Sequence, residues 1–104
     1  MSKLDIGFEL ENAVKNIERV FVLFYASWCP YSQRFLQIFH RIAENNRDCL
    51  RVITDDKASL VEKYSVDTVP TVLMFENGEV TKRLDGEPGA ELEEAQLRKL
   101  LAEN

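Results

Sequence analysis

Cys29 and Ser32 are separated by Pro30 and Tyr31, which is the spacing of a two-cysteine redox motif whose second sulfur is replaced by a hydroxyl. A thiolate at Cys29 could attack a disulfide bond and form a mixed disulfide. Without a second thiol next to it, Cys29 could not close an intramolecular disulfide and release its substrate. We therefore expect disulfide chemistry that depends on one sulfur.

The residues after Cys29 form an amphipathic stretch that predicts a helix, with apolar side chains at Phe35, Leu36, Ile38, Phe39, Ile42 and Ala43. Pro30 is tolerated in a first helical turn because its missing N–H would have no helical partner there. Free backbone N–H groups and the positive end of the helix dipole favour an anion at Cys29. The hydroxyl of Ser32, one turn later, could donate a hydrogen bond to the same sulfur. The alternative interpretation is an unreactive, buried Cys29.

Predicted strands and helices alternate along the chain on both sides of this motif. We predict helices near residues 8–18, 30–44, 58–64 and 92–101, and strands at 20–25, 49–54, 71–75 and 79–84, with a weak signal for an edge strand at 3–7. The Asn77-Gly78 pair suits a tight hairpin between the last two strands. Strands alternating with helices imply parallel pairing. The prediction is an α/β fold, a mixed sheet of four to five strands with helices on both faces, in a single domain over residues 1–104.

Composition excludes several classes of function. The formal charge of −5 and the scattered basic residues argue against a nucleic-acid-binding surface. The longest apolar runs are too short to span a bilayer, and the first residues lack an apolar signal region, so we expect a cytoplasmic monomer that binds no membrane. Two cysteines and one histidine predict neither a disulfide scaffold nor a metal site, and we expect no cofactor.

Three segments give the chain a resemblance to a known family. Residues 24–32 resemble the active-site strand and motif of the thioredoxin family, residues 68–71 resemble its cis-proline loop, and residues 75–79 resemble its final hairpin. The three occur in the family's order and together with the surrounding elements cover residues 8–104. The resemblance implies the thioredoxin fold, which is the same mixed sheet that the strand and helix pattern predicts.

The resemblance also implies roles for individual residues. Cys29 would be the nucleophile and Trp28 a flat apolar surface beside it, with Pro30 and an exposed Tyr31 completing the substrate-contacting part of the motif. This implies that protein or peptide disulfides are the substrates.

The loop at residues 68–71 would contribute to the same surface. Pro70 would follow a cis peptide bond and pack against the motif, and Val69 would offer backbone groups to an extended substrate. Such main-chain hydrogen bonds hold a peptide largely independently of its sequence.

Two positions depart from the family's pattern. Ser32 stands where the family has its second cysteine, and Leu23 stands where it commonly buries an aspartate that assists that cysteine. The two losses are mutually consistent, because an unpaired buried carboxylate would cost stability. Cys49 is a candidate substitute for the missing thiol, although a small buried residue is the commoner role.

Two basic residues near the motif, Arg51 and His40, are interpreted separately. Arg51 could place a cation beneath the site or lie in solvent, and we expect His40 to be solvated on the polar face of its helix.

We therefore expect a thioredoxin-like thiol–disulfide exchange protein, in which a mixed disulfide at Cys29 is released by glutathione, another small thiol or a protein thiol. The Cys-Pro-Tyr run also begins the glutaredoxin motif, but the Gly-Gly turn that glutaredoxins use for glutathione is missing after Phe75. That absence favours peptide binding over glutathione binding.

Three alternatives to this function stay open. The chain could be a non-catalytic binding module, or a dithiol reductase whose second cysteine has been replaced by Ser32. It could also bind an iron–sulfur cluster at a dimer interface together with glutathione.

Overall fold

The computed structural model describes residues 14, 18–43, 49–55, 58–87 and 92–102. Its strands are β1 (Arg19–Tyr25), β2 (Cys49–Ile53), β3 (Thr71–Glu76) and β4 (Glu79–Leu84), and its helices are α1 (Pro30–Ala43), α2 (Ala58–Lys63) and α3 (Glu94–Ala102). The predicted strand at 3–7 and the predicted helix at 8–18 lie outside the described residues, apart from Val14, which is helical and buried, and Glu18, which is exposed and not helical. The other predicted elements are confirmed to within a few residues.

The four strands form one mixed sheet in the order β2-β1-β3-β4. β1 pairs with β2 in parallel, whereas β1 with β3 and β3 with β4 are antiparallel. A parallel pair needs a crossover connection, and α1 supplies it between β1 and β2. β1 is therefore a central strand, and its carboxyl end leads directly into the motif.

Both faces of β1 are covered, as its unbroken apolar sequence predicts. Alternate residues of the strand enter two different hydrophobic clusters. On one face, Val20, Val22 and Phe24 pack against partly buried side chains of α2 and of the turn after it. On the other face, Phe21, Leu23 and Tyr25 belong to a second cluster with side chains of α1 and α3. The members from the two helices are Phe35, Phe39, Leu97 and Leu100. Full burial of each large apolar side chain contributes about 1.5–3 kcal/mol. The prediction of helices on both faces is confirmed.

The hairpin between β3 and β4 closes the end of the sheet opposite the motif. Asn77 and Gly78 have φ angles of 53° and 89°, the left-handed conformation that their sequence predicts. The N–H of Asn77 donates to the carbonyl of Glu18, just before β1, at 3.0 Å. None of the described helices combines the length and the apolar character needed to cross a membrane.

Candidate active site

The loop that joins β1 to α1 places Cys29 at the amino end of α1. The N–H of Cys29 donates to the carbonyl of Ala26 at 3.5 Å, and its own carbonyl accepts the N–H of Gln33 at 3.0 Å. That second bond is the first backbone bond of the helix, and Pro30 is the first helical residue, as predicted. Cys29 is 6% exposed and contributes to the wall of a surface groove.

The sulfur of Cys29 lies against the loop that precedes β3. Its S–H donates to the carbonyl oxygen of Val69 at 3.9 Å. The Val69–Pro70 peptide bond is cis, which confirms the expectation drawn from the resemblance. Two segments that are forty positions apart in sequence therefore meet at one sulfur atom.

Hydrogen bonds hold the Val69 loop against the segment after β4. The hydroxyl of Thr71 donates to the carbonyl of Thr68 at 2.7 Å and accepts the N–H of Gly86 at 3.2 Å. The hydroxyl of Thr68 donates to the carbonyl of Gly86. A Cβ atom at Gly86 would lie 2.5 Å from the carbonyl oxygen of Pro70, so this approach requires glycine. The sequence analysis missed this part of the site.

Ser32 is fully buried in the first turn of α1. Its hydroxyl oxygen accepts the N–H of Ala26 at 3.3 Å. The sequence suggests that this hydroxyl could donate to the Cys29 sulfur. In the structure the described bonds are different: the hydroxyl accepts the N–H of Ala26, and the Cys29 S–H donates to the carbonyl of Val69. The reason is geometric, because the loop turns the free N–H of Ala26 toward the helix.

Asp55, which follows β2, fixes the same loop from the other side. Its carboxylate accepts the backbone N–H of Ser27 at 3.0 Å and also the hydroxyl of Ser27. These bonds, above all that from the hydroxyl, hold the pKa of Asp55 below its ordinary value. The side chain of Gln33 adds bonds to the carbonyls of Ala26 and Ser27, both at 3.2 Å. Sequence reasoning found neither Asp55 nor Gln33.

Leu23 lies fully buried beneath the site and pairs in register with Arg51 of β2. A guanidinium nitrogen of Arg51 lies 2.9 Å from Nε2 of His40, and the guanidinium carbon is 6.0 Å from the centre of the Tyr25 ring. We predicted a solvated His40, and that was wrong: the residue is half-buried and bonded to Arg51. α1 packs across the sheet so that this polar position lies next to Arg51 of β2.

Cys49 is 1% exposed and sits at the start of β2, within the second hydrophobic cluster. It pairs with Phe21, whereas Cys29 follows Tyr25 at the other end of β1. Phe21 and Tyr25 are four residues apart along β1, which is about 13 Å at about 3.3 Å per residue. A disulfide needs Cα atoms within about 7 Å, so Cys49 cannot replace the second thiol in this fold.

The groove at Cys29 has a volume of about 790 Å³ and brings together most of the predicted contact residues. Cys29, Trp28, Tyr31 and Val69 line it, and Trp28 is 72% exposed. Pro30 is exposed on α1 and Pro70 is buried behind Val69, and neither is among the described residues of the groove wall. In the part of the chain that the structure describes, no group of three or more His, Cys, Asp or Glu side chains could hold a metal ion.

Comparison with known proteins identifies the family of this fold and site. The sequence model of the Thioredoxin family matches residues 6–102. The chain belongs to the thioredoxin family. Within that family it is 30% identical over 89 residues to the Thioredoxin of Mycoplasmoides gallisepticum, a match that covers 83% of this chain and 89% of the relative.

Two further thioredoxins show how far the likeness extends. The chain is 33% identical over 70 residues to "Thioredoxin Y2, chloroplastic" of Arabidopsis thaliana, a match that covers 64% of this chain but 42% of that protein's length. The solved structure of a mutant thioredoxin from Halobacterium salinarum NRC-1 has a TM-score of 0.78 and 25% identity, covering 94% of this chain and 84% of that one. The thioredoxin fold predicted from the sequence is confirmed.

Proposed function

We propose that this protein carries out thiol–disulfide exchange with Cys29 as its one nucleophile. The Cys29 thiolate attacks one sulfur of a protein or peptide disulfide, a new S–S bond forms, and the other substrate sulfur leaves as a thiolate. One disulfide is consumed and one mixed disulfide is formed, so the step needs no other oxidant. An external thiol then attacks the mixed disulfide and restores Cys29.

The observation that carries the proposal is the meeting of the Cys29 sulfur with the Val69 carbonyl at 3.9 Å on the wall of an open groove. A substrate chain laid along Val69 would pair with its backbone and bring a neighbouring disulfide to the sulfur. The exposed indole of Trp28 offers apolar contact area next to this position.

Release by an external thiol follows from Ser32 and from the position of Cys49. Ser32 carries an oxygen where the family has its second cysteine, and Cys49 is buried in β2, opposite Phe21 of β1. An intramolecular thiol would attack with a very high effective concentration, and an external thiol does not have this advantage. We therefore propose that mixed disulfides at Cys29 are long-lived, which suits isomerisation, deglutathionylation or capture of a partner.

The test is the reaction with hydroxyethyl disulfide, an uncharged small disulfide, at neutral pH. Intact mass should show one adduct on the wild-type chain, one adduct on Cys49→Ala, and none on Cys29→Ala. Addition of dithiothreitol should remove the adduct. An unmodified wild-type chain under conditions where free N-acetylcysteine forms its mixed disulfide with the same reagent would contradict the proposal.

A second candidate is a non-catalytic binding module. Cys29 is 6% exposed and the neighbouring Trp28 is 72% exposed, which favours this function. A partner protein would contact the accessible surface of the indole far more than that of the sulfur. Under this function, partner capture from solution would be the same for wild type and Cys29→Ala and would be lost in Trp28→Ala. Under the exchange function, capture that survives denaturation would be lost in Cys29→Ala.

The proposal also includes the setting in which the protein works. A cytoplasmic location and a monomeric state are proposals that rest on the sequence, and glutathione is one candidate for the releasing thiol. Cell fractionation and sedimentation of the purified protein test the first two. The relative rates of release by glutathione and by uncharged thiols test the third.

A further inference from the structure

Carboxylates surround the groove at Cys29. The described residues that line it include four acids, Asp55, Glu62, Asp67 and Glu87, and none of its described lining residues is Lys, Arg or His. The sequence does not show this clustering as a run, because the acids come from four separate segments: the turn after β2, the helix α2, the loop before Val69 and the segment after β4. The fold assembles one anionic rim around the nucleophile.

Local hydrogen bonds favour the charged form of Asp55, one of the four acids of the rim. Asp55 bonds to Ser27 through neutral donors, which lower its pKa and leave its negative charge in place. The hydrogen bond to Asp85, and to a smaller extent the charge of Asp67, raise the pKa of Arg83. The guanidinium of Arg83 bonds to Asp85 at 2.7 Å and to the carbonyls of Tyr64 and Ser65 at 3.0 and 3.1 Å. The described wall of the groove therefore presents acidic side chains, and no basic one, to whatever approaches Cys29.

Apolar side chains line the same groove as these acids. Val61, Val66 and Val69 line the groove with the indole of Trp28. Long basic side chains match this combination, because their aliphatic stems cover apolar surface while their charged ends reach carboxylates. An exposed indole also attracts an ammonium or guanidinium group over its face. An acidic segment would meet four like charges in the same place.

We propose that the groove selects protein disulfides whose cysteine is flanked by Lys or Arg in an extended segment. This rests on the exchange function proposed above and names its substrate class. Opposite charges across the approach path raise the encounter rate, whereas like charges suppress wrong partners. The same rim disfavours glutathione disulfide, because each half of that molecule carries two carboxylates and one ammonium group.

The experiment compares three short peptides that differ in the residues flanking one cysteine: Lys, Ser or Glu. Each cysteine is joined by a disulfide to thionitrobenzoate, a coloured leaving group. Cys29 attacks the peptide sulfur, the peptide becomes bound to the protein, and the thionitrobenzoate anion is released and measured. Each second-order rate constant is divided by that of 2-mercaptoethanol with the same peptide, which removes differences in the peptides' own reactivity.

We expect the normalised rate for the Lys peptide to exceed that for the Glu peptide at least about tenfold at low ionic strength. The ratio should fall toward one near about 1 M salt, where the screening length is about 3 Å. A double variant with Glu62→Gln and Asp67→Asn should lower this ratio of the Lys-peptide rate to the Glu-peptide rate at low salt at least about threefold.

The matched control is a double variant with Glu18→Gln and Glu79→Gln, which also removes two negative charges, but at the hairpin end of the sheet. Both residues are exposed, and the carbonyl of Glu18 bonds to Asn77 there. This pair should keep the wild-type ratio. Thermal unfolding confirms that each pair is folded, and Glu62→Gln alone should give a smaller decrease in the ratio.

Different outcomes separate this inference from the function on which it rests. If the Ser peptide reacts at Cys29 but the Lys and Glu peptides have equal normalised rates, the basic-substrate assignment is wrong and the exchange function stands. Equal loss of the ratio in both variant pairs would assign the effect to net charge and overturn the role of the groove. If no peptide reacts at Cys29 while 2-mercaptoethanol reacts with each, both proposals fail.

Discussion

The hydroxyl oxygen of Ser32 accepts the backbone N–H of Ala26 at 3.3 Å, and this bond ties the first turn of α1 to the residue that follows β1. Ser32 is fully buried, so its hydroxyl is fixed within the loop that carries Cys29. The position that holds the resolving thiol in the family's motif therefore supports the loop in this chain. The Ser32 hydroxyl provides the acceptor for the buried N–H of Ala26, which would otherwise be unpaired.

Under the proposed exchange function, replacing that oxygen with sulfur should supply a second thiol that resolves the mixed disulfide. In Ser32→Cys we expect insulin reduction with dithiothreitol as reductant to be at least about tenfold faster than with wild type, because the new thiol attacks the mixed disulfide intramolecularly. The measurement is the rate of insulin precipitation above that of dithiothreitol alone. Equal rates for Ser32→Cys and wild type would show that resolution does not limit turnover.

Ser32→Ala is the matched control for that substitution. It should give no increase in insulin reduction, because it adds no thiol. It should lower the free energy of unfolding by about 1–3 kcal/mol, since the N–H of Ala26 is left buried without its acceptor. Urea unfolding of wild type and Ser32→Ala measures the difference.

The bond between Ser27 and Asp55 makes a pH-dependent contribution to stability. The pKa of Asp55 is lowered from its ordinary value of 3.8, chiefly by the Ser27 hydroxyl. A lowered pKa in the folded state means that this contribution is fully present above 3.8 and is lost as the pH falls through the lower, folded-state value. In Ser27→Ala, an NMR titration should show the Asp55 pKa rising toward 3.8.

The matching stability measurement compares wild type with Ser27→Ala over the same pH range. The difference in unfolding free energy should be larger at neutral pH than in acid. Glu94, whose pKa is lowered by Arg98 and Arg41, is an internal control and should titrate identically in both proteins. An unchanged Asp55 titration in Ser27→Ala would mean that the hydroxyl does not set its pKa.

Local signals in the sequence were enough to predict most of the fold. The apolar run of β1 and the amphipathic pattern of α1 depend on residues close together in sequence, and both were predicted close to their observed limits. Asn and Gly both tolerate the positive φ angles that Asn77 and Gly78 adopt, so these two residues alone predict the turn. The cis bond before Pro70 was predicted from the family's motif, since no local preference would have indicated it.

The rest of the site depends on contacts between distant parts of the chain. Ser27 and Asp55 are separated by 28 positions, and nothing near either residue indicates the other. His40 was assigned to solvent from the helix pattern alone, because that pattern does not show which strand lies opposite a helix face. Its contact with Arg51 depends on the parallel register of β1 and β2.

The burial of Cys49 predicts a large difference in reactivity between the two cysteines. Cys29 lines the groove, whereas Cys49, at the start of β2, is 1% exposed. We expect iodoacetamide to alkylate Cys29 in the native protein and to reach Cys49 after unfolding in urea. Intact mass of wild type, Cys29→Ala and Cys49→Ala at successive times identifies each site. Native labelling of Cys29→Ala as fast as that of wild type would contradict the assignment.

Gly86 positions the Val69 loop, and its replacement should affect both stability and reactivity. In Gly86→Ala the new Cβ would lie 2.5 Å from the carbonyl oxygen of Pro70, so the loop must shift. We expect a loss of about 1–3 kcal/mol in unfolding free energy, typical of overpacking at a tight site. The adduct rate of Cys29 with hydroxyethyl disulfide should also fall, because Val69 moves away from the sulfur.

Gly78→Ala distinguishes a displaced loop from a merely weaker fold. Gly78 has a φ of 89° in the hairpin at the opposite end of the sheet, so alanine there is strained and should cost about 1 kcal/mol. Its Cys29 adduct rate should equal that of wild type, since the Val69 loop is untouched. A Gly86→Ala protein that is less stable but reacts as fast as Gly78→Ala would show that the contact with Pro70 supports the fold without positioning the nucleophile.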